Sequence, residues 1–121
     1  MSDHQERLRL YFNALNAFDL KSVEALFAED AVYVSSGLGT PIKGRAKIME
    51  AFRNYFAEFD DQISYDKNLA LVSPNTYHSN WALVATSNKT GERINRSGTQ
   101  ITKFDSEGLI VAIQVQDRTR K

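Results

Sequence analysis

The chain has 121 residues, 42% of them hydrophobic and 25% charged, ordinary values for one soluble globular domain spanning residues 1–121. Lys plus Arg and Asp plus Glu number 15 each, which leaves no global charge to draw the protein to nucleic acid or to an anionic membrane. There is no cysteine, which excludes disulfides, thiol catalysis and thiolate-bound metals and fits a reducing cytoplasm.

The opening segment, MSDHQERLRL, is charged and has no apolar centre, so it does not read as a signal peptide. No apolar run approaches the roughly 20 residues needed to span a bilayer. Ser2 with Gln5, or Asp3 with Glu6, offers a capping box for a first helix. One face of that helix carries Leu8, Tyr11, Phe12, Leu15 and Phe18 at three- and four-residue spacing. A break at Phe18-Asp19 follows. Asp19 is placed to N-cap a second helix, on which Val23, Leu26 and Phe27 repeat the pattern. Glu29-Asp30 is expected to end it, and Ala31 to Ser35 to form a strand.

Ser36 to Pro41 is loop by composition, and the spacing of Gly37 and Gly39 matches neither a phosphate-binding nor a dinucleotide-binding fingerprint. Gly44-Arg45-Ala46 opens a third helix. Its stripe of Ile48, Phe52, Tyr55, Phe56 and Phe59 reads as lining for core and cavity. Strands follow. Gln62 to Val72 is mixed in character, Ser73-Pro74-Asn75 is a turn, and Tyr77 to Asn88 is a long strand. Asn88 to Gly91 closes a hairpin and Glu92 to Phe104 returns. Asp105 to Gly108 is a tight turn with Gly108 suited to positive φ, and Leu109 to Asp117 is the last strand. Arg118, Arg120 and Lys121 read as a solvated basic tail. Helices first and an antiparallel meander afterwards predict an α+β fold rather than alternating α/β.

The segments ALNAFDL and LFAEDAV, the helix start at Gly44, and the run from Lys103 to Ile110 resemble the nuclear transport factor 2-like, or ketosteroid isomerase-like, superfamily, and its SnoaL-like branch in particular. The resemblance implies a cone, in which a curved, mostly antiparallel sheet wraps around about three N-terminal helices and leaves a hydrophobic pocket inside. It also implies a homodimer. By position, the oxyanion-binding tyrosine of ketosteroid isomerase falls on Tyr11, its general base on Ser35, and its protonated aspartate near Gln100. A serine without a base beside it cannot carry a proton between carbons, so steroid isomerisation by that route is expected to be absent or weak. SnoaL-like relatives place acidic or histidine residues on the later strands, which here points to His78 and Asp117. The Asp-Arg-Asp arrangement of limonene-epoxide-hydrolase relatives would use Arg96 and Asp117, and its third member is missing.

Side chains alternate along a strand, so Leu109, Val111, Ile113, Val115 and Asp117 share one face of the last strand. Either the strand leaves the core at Asp117, or Asp117 stands at the mouth of an apolar cavity, where lost hydration raises its pKa. Ala112, Gln114 and Gln116 form the other face, read as the surface through which two copies pair. Gln100 and Thr102 share a face with Gly98 and Phe104. His78 reads either as a proton carrier or as an ordinary strand residue. Trp81 reads as packing, and Asn80 as a weaker polar candidate.

Two functions stay open. One is an isomerase or cyclase doing acid-base chemistry on a small apolar or amphipathic molecule that bears oxygen. Asp117 or His78 would move the proton, and Tyr11 or Gln100 would face the developing oxyanion. Phe52, Phe56, Ser35 and Thr102 would make the remaining substrate contacts. The other is a non-catalytic ligand-binding or assembly module of the same fold. Neither demands a cofactor. Two distant histidines and no cysteine supply no metal site, so none is expected.

Overall fold

The structure, a computed structural model, describes residues 4–36 and 40–118. Ser2, Asp3, Gly37, Gly39, Arg120 and Lys121 lie outside the described residues, and with them the capping pairs, the loop glycines and most of the basic tail. Helix α1 (His4–Asn16) forms where the three- and four-residue spacing gives it one apolar face, and Leu8 and Tyr11 on that face are 0% and 2% exposed. The chain turns at Phe18, whose φ is +57°. Asp19 then caps α2 (Leu20–Leu26), accepting from the Ser22 backbone N–H at 3.2 Å and from the Ser22 hydroxyl at 2.6 Å. Those bonds hold the Asp19 carboxyl below the ordinary carboxylate range.

Helix α2 stops at Leu26, not at Glu29-Asp30, because Phe27 is already extended and β1 (Phe27–Ser35) begins there. Phe27 and Ala31 are both fully buried, and Phe27 pairs with Ile110. A short strand β2 (Ile42–Lys43), between the Ser36 to Pro41 segment and the third helix and not expected from the sequence, pairs antiparallel with Val32 and Tyr33. Gly44 leads into α3 (Arg45–Glu58), which buries Ile48, Met49 and Phe56. Strands β3 (Ile63–Ser73), β4 (Thr76–Thr86), β5 (Arg93–Phe104) and β6 (Ile110–Asp117) complete the chain.

Among the described residues, three helices pack against one six-stranded sheet in the order β2-β1-β6-β5-β4-β3. β1 and β6 run parallel and every other neighbouring pair is antiparallel. The sheet is curved and unclosed, an α+β cone. The core lies between the helices and the concave face, where Leu8, Tyr11, Val23, Phe27, Ile48, Phe104 and Ile113 meet. The β5–β6 register shifts at Phe104, so Ile110 reaches the core as well, while Leu109 and Val111 are half-buried. The turn before β6 has Gly108 at φ +84°, and its carbonyl accepts a hydrogen bond from Arg7 of α1. At the other end of α1, Asn16 hydrogen-bonds to both the backbone N–H and the C=O of Ser64, closing the helix against the edge strand. No helix of the described residues is long and apolar enough to cross a membrane.

Candidate functional site

The concave face and the helices enclose a cavity of about 420 Å³. Tyr11, Phe12 and Leu15 enter it from α1, and Phe52, Tyr55 and Phe56 from α3. The rings make a continuous wall: Tyr33 meets Phe52 edge-on with centroids 5.7 Å apart, and Phe52 stacks on Phe56 at 6.2 Å. The charged lining residues are Asp66, Arg96 and Asp117.

Sheet register explains how they come together. Asp66 of β3 pairs with Trp81 of β4, Trp81 with Gly98 of β5, and Gly98 with Asp117 of β6. Cross-strand partners point to the same face, so one row carries a carboxylate at each end of the cavity floor. At the β6 end, Arg96 Nη1 lies 3.2 Å from Asp117 Oδ2, with the two side chains 50% and 25% exposed. The Asp117 backbone N–H donates to Ser36 Oγ at 3.0 Å.

At the β3 end the electrostatics differ. Burial alone pushes the Asp66 carboxyl up to about 7. Burial also raises Tyr11 well above its ordinary value, with smaller contributions from Tyr33 and then Asp66. Burial first, then Tyr55, pushes Tyr33 up to about 12. Tyr55 also reaches about 12 through burial, opposed by Arg96 and aided by Glu58, and its hydroxyl donates to Gln62 Oε1. All three phenols stay neutral near pH 7; Tyr55 gives its one proton to Gln62, while Tyr11 and Tyr33 are fit to donate hydrogen bonds beside a carboxyl that exchanges its proton there.

The fold also matches known proteins. The SnoaL-like domain pattern matches residues 8–113 of this chain. The chain belongs to the SnoaL-like family. Solved structures agree on the fold of this SnoaL-like chain. A nuclear transport factor 2-like protein of unknown function from Exiguobacterium is 21% identical, with 93% of this chain and 98% of that one covered and a TM-score of 0.82. A Mycobacterium tuberculosis protein crystallised with estradiol-17β-hemisuccinate is 18% identical, covering 95% and 93% with a TM-score of 0.82. A ketosteroid isomerase-like protein from Erwinia carotovora is 16% identical, covering 96% and 94% with a TM-score of 0.73. A comparison with curated proteins found no match.

In this SnoaL-like cone the sequence-derived residues divide. Tyr11, Ser35, Phe52, Phe56, Gln100 and Asp117 all line the cavity. Thr102 is fully buried behind it and accepts a hydrogen bond from Gln100 Nε2 at 2.9 Å. His78 does not reach the cavity. It pairs with Ala70 and Ile101, while its neighbours Tyr77 and Ser79 are the buried ones, so alternation turns it to the outer face. Asn80 shares that outer position, opposite Lys67 and Thr99. Trp81 lines the floor, and its Nε1 donates to the Thr99 carbonyl at 3.0 Å.

Asp66 is the residue that sequence reasoning passed over. Its carboxylate joins Arg96 and Asp117 in one cavity, where an arginine with a single acid was expected. The only available signal was its two-residue spacing from Ser64 and Gln62, which also line the cavity. On β3 that polar face turns inward, while Ile63 and Tyr65 are 48% and 63% exposed. Among the described residues no group of three or more His, Asp or Glu is placed to hold a metal ion.

Proposed function

We propose that this SnoaL-like protein binds a small, largely apolar, oxygen-bearing molecule in its cone and does acid-base chemistry on it, of the isomerase or cyclase kind. One observation carries this reading: a carboxyl pushed up to about 7 stands in an aromatic cavity with Tyr11, a neutral phenol. Asp66 is then the proton carrier, the role that sequence alone assigned to Asp117 or His78. Ionised, it takes a proton from a carbon or hydroxyl of the substrate and returns it elsewhere. Tyr11 and Tyr33 donate hydrogen bonds to the oxygen on which charge develops, and Gln100 supplies a weaker donor. Ser35, Phe52 and Phe56 fix the apolar body. Asp117, neutralised by Arg96, orients the ligand at the other end. No cofactor enters this scheme.

The test begins with native mass spectrometry of the freshly purified protein to identify a co-purified ligand, followed by turnover assays on it and its isomers. Asp66→Asn abolishing turnover with the fold intact supports the reading. Full turnover in Asp66→Asn overturns it. A bound ligand with no turnover in the wild type favours the second reading, a binding module without chemistry, to which Ser35 at the isomerase base position already points.

The proposal extends to assembly and location. Two copies pair through the outer sheet face, where Gln114 and Gln116 adjoin the exposed Ile101, and where Ile63 and Tyr65 of β3 also project. Light scattering with Ile101→Glu and Tyr65→Glu checks this, since a charge at either position should shift a dimer toward monomer. A cysteine-free chain needs no oxidising compartment, and we place it in the cytoplasm.

A further inference from the structure

Gly98 is a gap in an otherwise filled row. Its inward neighbours along β5, Arg96 and Gln100, both send side chains to the cavity. A Cβ on Gly98 would lie 1.9 Å from the Gln116 carbonyl oxygen and 2.8 Å from Trp81 Cζ2. The close approach of the β6 backbone thus excludes a side chain there, and the Trp81 indole occupies the space left. The Nε1 bond to Thr99 fixes the ring in that seat. In register, Trp81 and Gly98 are the two positions between Asp66 and Asp117, about 14 Å of sheet at three strand spacings.

We propose that Trp81 is a positioning residue whose indole, seated over Gly98, separates Asp66 from the Arg96–Asp117 pair and so keeps the two ends of the cavity electrostatically distinct. A slab of apolar ring between a carboxyl and a guanidinium excludes the water and the direct contact that would stabilise the ionised acid. Burial is the cause of the raised Asp66 carboxyl, while Arg96 Nη1 is engaged with Asp117 Oδ2 at 3.2 Å. The other titratable groups lining the cavity with Asp66 are Tyr11 from α1, Tyr33 from β1 and Tyr55 from α3, with Asp117 on β6 past Trp81 and Gly98 in register and Arg96 on β5 in the adjacent row, paired with Leu83. On its own strand Tyr65 and Lys67 point outward, as does His78 on β4.

The inference rests on Asp66 being the proton carrier, and its test reads the carboxyl itself rather than turnover. Side-chain carboxyl NMR follows the Asp66 titration in the intact protein, in Trp81→Phe and in Trp81→Ala, each with and without Arg96→Gln. In Trp81→Ala the proton affinity of Asp66 should fall about tenfold or more, and in Trp81→Phe it should keep most of its elevation. Arg96→Gln should shift Asp66 several-fold more in the Trp81→Ala background than beside the native indole. Trp81→Leu replaces the alanine variant if that one fails to fold. An unchanged Asp66 titration in folded Trp81→Ala or Trp81→Leu overturns the proposal, and so does an Arg96→Gln effect that ignores Trp81. Loss of the proposed function through an active Asp66→Asn would leave this titration result standing, so the two failures are distinguishable.

Discussion

The two ends of the cavity floor carry the same residue type in opposite surroundings. Asp117 on β6 meets a guanidinium at 3.2 Å and is a quarter exposed. Asp66 on β3 is desolvated among phenols, and its carboxyl rises to about 7. Under the proposed function, chemically identical groups on one row of one sheet do different work, one in a charge pair and one as an exchangeable proton. Identity and register do not set that difference; water and the nearest cation do.

The largest expected effect tests the division of labour directly. Asp66→Asn should lower turnover of the identified substrate by about 10²- to 10⁴-fold, the usual worth of a general acid-base group, while Asp117→Asn should cost about tenfold or less. Equal losses would erase the distinction between the two ends. If ionised Asp66 is the base, kcat/KM in the wild type should rise through a pH near 7.

Gly98→Ala probes the seat between the two ends. The added methyl meets the β6 backbone, so the strand must shift, at a cost of about 1–3 kcal/mol read from the urea midpoint. A smaller consequence follows from pH. The folded-state pKa of Asp66 lies above its unfolded value of about 3.9, so the native state holds the proton more tightly. Its contribution is fully present below about pH 4, is lost as pH rises toward about 7, and stays lost above that. With solvent screening of a partly exposed carboxyl allowed for, the loss is about 2 kcal/mol. Asp66→Asn should therefore gain on the wild type between pH 5 and pH 8, as measured by denaturation at both. At the other end, Arg96→Gln should change stability by less than about 1 kcal/mol, because the pair is half exposed on the arginine side. A larger loss would mean that Asp117 depends on its partner as much as Asp66 depends on burial.

Much of the scaffold was legible because local chemistry and tertiary role agree. The face of α1, the Asp19 cap, the helix start at Gly44 and the turn at Gly108 each follow from side-chain spacing or backbone freedom within a few residues. Where a neighbour distant in sequence decides, local pattern is not enough. Phe27-Ala28 is apolar enough for helix or strand, and the pairing of Phe27 with Ile110 settles it as strand. Strand β2 exists because Ile42 and Lys43 find Tyr33 and Val32.

The candidate site was half legible for the same reason. Tyr11, Phe52 and Phe56 follow from helical periodicity, and Gln100 and Asp117 from strand alternation, since a residue's own neighbours fix which face it takes. Alternation gives two faces and does not say which one is inside. On β3 the apolar Ile63 and Tyr65 would be assigned to the core, yet they stand on the convex side, while Gln62, Ser64 and Asp66 face the cavity. The sequence by itself determined the helices, most of the strands and the α+β class, because those depend on spacing along the chain. Only the tertiary structure decided that Asp66 is the desolvated acid and His78 an outer-face residue. Desolvation is a property of what surrounds a side chain in space, and no local pattern carries it.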